Sequence, residues 1–418
     1  MLLLAAALAA AAAVPPAPRA GERWVGTWAC SPQRAEPAQA PPAPGFADTT
    51  LRQVVRVSLG GRRLRVRFSN AFGTTPLEVK SAGIALSAGG SAIRPGSARP
   101  LSFHGRSGVT IPPGAPMLSD ALDFDLPPLA DVTLSVRLQG APADLTIHPG
   151  SRTTSYLHPG EAVSAVDLPA AARIDHWYFV NGIDVLAPPP AAAVAILGDS
   201  ITDGRGSTTN GNDRWPDQLA RRLQAEARTA QVAVLNHGIG GNRLLRDGLG
   251  PSALARLDRD VLAQTGVRWL VVLEGINDIG TRVSAREKGE PYATADDLIA
   301  AYAQIVARAR AHGLRVYGAT ILPFEGAFYF TPDGEADRQR VNLWIRTSGA
   351  FDAVIDLDAA TRDPRQPARL SAEVDGGDHL HPSAAGYRIM AAAVDLALFQ
   401  PAAMPPVPQG RPADVPLR

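Results

Sequence analysis

Four short blocks in the second half of the chain carry the residue types that can do chemistry. Val194-Ala195-Ile196-Leu197 reads as a buried strand, and Gly198-Asp199-Ser200 turns sharply after it to present a hydroxyl. A serine so placed is a candidate nucleophile, although Gly-Asp-Ser is also an ordinary turn. The last block is Asp378-His379-Leu380-His381-Pro382. Here His381 can serve as a general base and Asp378, three residues earlier, can fold back onto its ring. The plain alternative is that both merely cap the helix that Pro382 is suited to begin. His379 is read as structural.

Acyl transfer through a serine also needs donors facing the oxyanion. Two further blocks are candidates. Gly238-Ile239-Gly240-Gly241-Asn242 follows a strand-like run, and glycine there lets a backbone N–H come close to a ligand. Gly275-Ile276-Asn277-Asp278 follows another, and the Asn277 amide can donate without any charge of its own. A simple turn and an Asx-turn are the respective alternatives.

The elements that must position these blocks change character along the chain. From about residue 23 to 186 the apolar pattern has period two, interrupted by Gly, Pro, Ser and Asn. Leu51–Ser58 and Leu64–Phe68, separated by Gly60-Gly61, are expected to form a hairpin whose alternating arginines make a solvated face. Many short strands without helical stretches predict an all-β sandwich of jelly-roll type. After Ala187-Pro188-Pro189-Pro190 the rhythm becomes strand and helix in alternation. Strands are expected at 194–197, 232–235, 269–273, 314–321 and 353–357. Helices are expected at 215–228, 252–264, 294–312, 335–346 and 382–398. That is the pattern of a parallel sheet covered on both faces, with its site outside the carboxyl ends of the strands. The expected organisation is a leader at 1–20, a sandwich domain at 21–186, a Pro-rich linker at 187–192, a catalytic α/β domain at 193–400 and a disordered tail at 401–418.

Ser, Gly, Asn and Asp-x-x-His, in that order at strand ends, resemble the SGNH/GDSL hydrolase family over about Ala193 to Leu398. The resemblance implies a flavodoxin-like parallel sheet. Position by position it also implies Ser200 as nucleophile, His381 as base and Asp378 as its orienter. An oxyanion site would come from the N–H groups of Ser200 and Gly241 and the Asn277 side chain. Ile201 stands where leucine gives the family its GDSL label. Trp24–Ala29, Thr50–Gln53 and Phe68-Ser69-Asn70 resemble, more loosely, the β-sandwich that precedes this domain in secreted bacterial members. An α/β-hydrolase fits less well, because Gly-x-Ser-x-Gly is missing and Asp and His share one loop.

Composition narrows the partners. A net charge of +1 gives no electrostatic reason to expect nucleic acid or an anionic membrane. The single cysteine, Cys30, precludes an intrachain disulfide or a cysteine metal cluster and reads as a small buried side chain. No phosphate-cradling or metal-binding motif is present, so no cofactor and no metal are expected. The apolar run from Met1 to Ala13, ending in small residues, reads as a secretory h-region, although no basic residue precedes it; export to the periplasm or beyond is expected. The expected activity is hydrolysis of a carboxylic ester, with deacetylation of a carbohydrate favoured. A lipase, lysophospholipase or arylesterase is the runner-up. A non-catalytic carbohydrate-binding protein is the alternative of another class. The loops at 243–245 and 323–329 are expected to shape the substrate site, with Phe324, Phe328 and Tyr329 as stacking candidates.

Overall fold

The computed structural model describes residues 21–140 and 142–400. The expected leader at 1–20 and tail at 401–418 lie outside the described residues. In the N-terminal half the principal strands are β1 (Arg23–Ala29), β2 (Thr49–Arg56), β3 (Gly61–Ser69), β4 (Leu77–Gly89), β5 (Leu122–Leu126), β6 (Asp131–Leu138), β7 (Ser155–Pro159) and β8 (Val180–Ala187). One antiparallel sheet runs β1-β8-β3-β5, and a second has β7-β2-β6-β4 as its central run. Leu51, Val55, Leu134 and Val136 of the second sheet join Leu64, Val66, Phe68 and Ile183 of the first in one buried cluster. The period-two pattern is the cause, since alternate residues of each strand must face that cluster.

The expected hairpin does not form. β2 and β3 lie in different sheets, and the four residues between them carry the chain from one sheet to the other. Thr27 drives this crossing, because its carbonyl accepts from Ser58 N–H and its hydroxyl from Leu59 N–H. The solvated arginine face also needs correction. Arg52 is fully buried, donating to Ser135 Oγ and to the carbonyls of Ser91, Ala162 and Ala165. Arg65 and Arg67 both pair with Asp184 on β8, which is itself buried.

In the C-terminal half β9 (Ala192–Gly198), β10 (Val232–Gly238), β11 (Val267–Leu273), β12 (Arg315–Ala319) and β13 (Ala353–Ile355) form a wholly parallel sheet in the order β10-β9-β11-β12-β13. Its principal helices are α1 (Ser200–Asp203), α2 (Trp215–Ala225), α3 (Ala253–Leu257), α4 (Ile276–Gly280), α5 (Ala295–Ala311), α6 (Pro332–Thr347) and α7 (Ala384–Ala392), besides the short helices Arg282–Glu287 and Leu357–Thr361. The helix expected over 252–264 is α3 running directly into a π-helical turn, Asp258–Leu262. The last helix does not begin at Pro382. Ser383 caps it, accepting from Gly386 N–H, while Pro382 pairs with Asp375 in an isolated bridge.

The sheet is not clad by helices alone. Val232 and Val234 of β10 pack into the helix-bearing core, whereas Ala233 and Leu235 join the core of the N-terminal half beside Val25 and Trp28. Gly26 N–H donates to the Thr265 carbonyl at 2.8 Å. The N-terminal half thus takes the place of a covering helix on one face of β9 and β10.

Candidate active site

Gly198 ends β9 because nothing larger fits: a Cβ there would lie 2.2 Å from Thr202 Oγ1. Asp199 follows as the cap of α1, its Oδ1 accepting from Ile201 N–H at 2.9 Å. Ser200 therefore opens α1 at the carboxyl edge of the sheet, almost buried at 6% exposure. Its Oγ lies 2.8 Å from His381 Nε2. On the other side of the ring, His381 Nδ1 donates to Asp378 Oδ2 at 2.7 Å. Asp378 Oδ1 accepts from the N–H groups of His381 and Leu380 at 2.8 and 3.1 Å.

These contacts set the charge states. Burial would push the Asp378 carboxyl up, but the His381 and Leu380 donors outweigh it and hold the group below the usual carboxylate range. Burial lowers the His381 pKa; Asp378 opposes the shift, and the charges of Arg205 and Arg152 add to it. A neutral imidazole with its proton fixed on Nδ1 leaves Nε2 free to accept the serine proton.

Gly241 and Asn277 follow the ends of β10 and β11, the two strands that flank β9. Gly241 sits at φ +72°, a left-handed conformation that favours glycine. Asn277 opens the second position of α4. Its Nδ2 donates to the Asn242 carbonyl at 2.9 Å, which uses one of the two amide hydrogens. The Tyr329 hydroxyl donates to Asn277 Oδ1 at 3.4 Å. The amide is thereby held at both ends, with one N–H still available. Among the described residues the N–H groups of Ser200 and Gly241 meet no acceptor.

Asp278 does not close an Asx-turn; it accepts from the N–H groups of Leu244 and Leu245 and ties their loop to α4. His379 is turned away from the serine, its Nδ1 2.6 Å from Asp375 Oδ2. Of the stacking candidates, Phe324 is fully buried, Tyr329 is half-buried beside it, and Phe328, 87% exposed, is the most open to a ligand. Leu244 is core. Cys30 is buried, which pushes its thiol pKa well up.

Beneath the site lies an arrangement for which the sequence carries no spacing signal. Arg256, fully buried on α3, donates to the Gly198 carbonyl, Asn242 Oδ1, the His237 carbonyl and Glu274 Oε1. It also donates to Ser31 Oγ of the N-terminal half at 2.9 Å. Burial pushes the Asp199 carboxyl to about 7 and Asp278 to about 6, and raises Glu274 well above the usual range. Among the described residues no cluster of three or more His, Cys, Asp or Glu is placed to hold a metal ion.

The model of the GDSL-like Lipase/Acylhydrolase family matches residues 196–389. No curated protein matches the chain. Similar solved structures include an acetylxylan esterase from Geobacillus stearothermophilus, at 24% identity over 48% of this chain and 91% of that one, TM-score 0.38. Others are a GDSL-like lipase from Bacteroides thetaiotaomicron (20%, 48% and 84%, TM-score 0.35) and an alpha/beta hydrolase enzyme from the metagenome of Lake Arreo, Spain (19%, 49% and 94%, TM-score 0.38). The family match spans the segment that holds Ser200, Gly241, Asn277, Asp378 and His381: the C-terminal part of this chain is a domain of the GDSL-like lipase/acylhydrolase family, and the chain is an ester-hydrolysing enzyme.

Proposed function

We propose that the enzyme works through an acyl intermediate on Ser200. His381 Nε2 takes the hydroxyl proton as Oγ attacks the ester carbonyl, and Asp378 stabilises the imidazolium that forms. The oxyanion is met by the N–H groups of Ser200 and Gly241 and by the free N–H of Asn277. Collapse of the tetrahedral intermediate breaks the C–O bond, and His381 returns the proton to the leaving alcohol. Water then repeats the sequence, releasing the acid and restoring Ser200. The observation that carries this reading is the unbroken hydrogen-bond chain Ser200–His381–Asp378 at 2.8 and 2.7 Å.

The favoured substrate is an acylated carbohydrate. Its support is Phe328, an exposed ring tilted against Tyr329 at 4.3 Å between centroids, where the apolar face of a sugar ring can rest. We read the two N-terminal sheets as a sandwich and the parallel sheet, with its order 2-1-3-4-5, as flavodoxin-like. The apolar run at residues 1–13 supports export.

The test is hydrolysis of p-nitrophenyl acetate by the protein and by Ser200→Ala. Loss of turnover in the variant is expected, and equal rates would overturn the nucleophile. Acetate release from acetylated xylan, with acetyl esters preferred to octanoyl esters, is expected of a glycan deacetylase. The reverse chain-length preference would point to a lipase.

A further inference from the structure

The N-terminal half does more than cover a sheet face, because one of its loops reaches the site. Thr146–His148 is a short strand, and the chain then turns through Gly150 and Arg152. His148 anchors this turn, with Nε2 3.0 Å from Asp203 Oδ1 on α1. Its outer end is tied to the loop that follows α1. The Arg152 carbonyl accepts from Asn210 N–H at 2.9 Å, and Asn210 Oδ1 accepts from Thr154 N–H at 2.9 Å. That second loop carries Arg205, whose N–H donates to the Ser200 carbonyl at 2.9 Å and whose carbonyl accepts from the Tyr387 hydroxyl. The next residue, Gly206, lies so near the base that a Cβ on it would be 3.8 Å from His381 Cβ.

The loops that carry Arg205 and Arg152 are thus tied to each other, one from each half of the molecule, and the first of them runs beside His381. Neither side chain forms an ion pair or hydrogen bond with a described residue, and Arg152 Nε is buried with no partner. Asp378 is held by the His381 and Leu380 donors, and neither arginine bonds to it. Arg152 is moreover held at φ +50°, a left-handed conformation that strains a side-chain-bearing residue. Arg205 is exposed and Arg152 half-buried with its Nε unpartnered, and the charges of both act on the His381 ring, so this side of the site presents two positive charges to an incoming anion. The side matters too. His381 must protonate the leaving oxygen, so groups bordering His381 face the alcohol part of the ester, whereas Gly241 and Asn277 face the carbonyl oxygen.

We propose that the ester this site prefers carries a carboxylate on its alcohol part, clamped by Arg152 and Arg205. An acylated acidic sugar has that chemistry, and guanidinium groups match a planar carboxylate through paired N–H donors. The inference rests on the reading of Ser200 as nucleophile.

The experiment compares 3- and 4-acetoxybenzoate with their neutral methyl esters, using the full chain, Arg152→Gln, Arg205→Gln and the double variant. The readout is the ratio of kcat/KM for the anionic ester to that for its neutral partner. Both esters report on the same folded enzyme, so partial misfolding cancels from the ratio. For at least one positional isomer the ratio is expected to fall about tenfold in each single variant and further in the double. Added salt should lower it in the parent and much less in the double variant. A ratio unchanged for both isomers would overturn the carboxylate clamp while leaving the hydrolase reading intact, provided turnover still depends on Ser200. If the parent cleaves none of these esters nor p-nitrophenyl acetate, the nucleophile reading fails first and the clamp with it.

Discussion

At the scale of single residues, His381 sets the pH dependence. Its ring is buried and feels the charges of Arg205 and Arg152, so it protonates below the ordinary histidine range despite Asp378. The protonated ring cannot accept the Ser200 proton. Activity should therefore be lost as pH falls, with a midpoint in kcat/KM below about 6.5, and be flat through neutrality. A midpoint above 7 would mean that another group limits the rate. Asp378→Asn removes the acceptor that fixes the Nδ1 proton, and turnover should fall about 10²–10⁴-fold with the fold intact. Asn277→Ala should lose about 10²–10³ in kcat, the usual cost of one oxyanion donor. Tyr329→Phe should lose less, because the Asn242 carbonyl still holds the amide. Equal losses in Asn277→Ala and Tyr329→Phe would place the Asn277 effect in packing rather than in the oxyanion.

At the scale of elements, the ends of β9, β10 and β11 are brought together by α3 through Arg256. Its guanidinium ties the last carbonyl of β9 to Asn242 beyond β10 and to Glu274 beyond β11. Asp199, Glu274 and Asp278 around it keep protons in the folded state that they would lose in the unfolded chain. A raised carboxyl pKa makes stability fall as pH rises toward the folded value. The buried imidazoles His237 and His381, both lowered, oppose this only below about pH 6.5, where the unfolded rings take up protons. Between about pH 6.5 and 8 Asp199 and Glu274 act without that opposition, Asp278 having given up its proton near 6, so Tm should decline across that range. Glu274→Gln keeps an acceptor for Arg256 and should flatten the decline; an undiminished slope in that variant would remove Glu274 from the cause. This cluster also marks the limit of what could be read from the sequence. Ser200, Asp378 and His381 were legible because each stands beside a strand end or within one short loop, where spacing reflects geometry. Arg256 and Glu274 meet across different elements, and an arginine on a short helix looks the same in sequence whether it is solvated or buried. The same blindness made Arg52 read as surface and made β2 and β3 read as a hairpin. Period two reveals that a strand has two faces and not which sheet it joins.

At the scale of the whole molecule, the two halves behave as one packed body. Ala233 and Leu235 of the parallel sheet sit in the same buried cluster as Val25 and Trp28. Polar groups cross the boundary as well. Val234 N–H donates to Ser58 Oγ at 2.9 Å, Arg67 to Gln264 Oε1 at 2.8 Å, and Arg259 to the Pro32 carbonyl at 3.0 Å. Buried polar groups of this kind are costly to expose unpaired, and the shared apolar face removes the usual independence of linked domains. Thermal unfolding should accordingly be a single calorimetric transition that melts both halves together. A fragment spanning 192–400 would expose Leu235 and leave Arg256 without Ser31, so it should aggregate or melt well below the full chain. The local probe is Leu235→Asp, which puts a charge in the shared cluster without touching Ser200, His381 or Asp378. It should lower the melting temperature of both halves together, about 3–5 kcal/mol being typical for an unpaired buried charge. Two separate transitions in the parent, or a Leu235→Asp variant in which only the C-terminal half melts early, would show that the halves fold independently and that their contact is incidental.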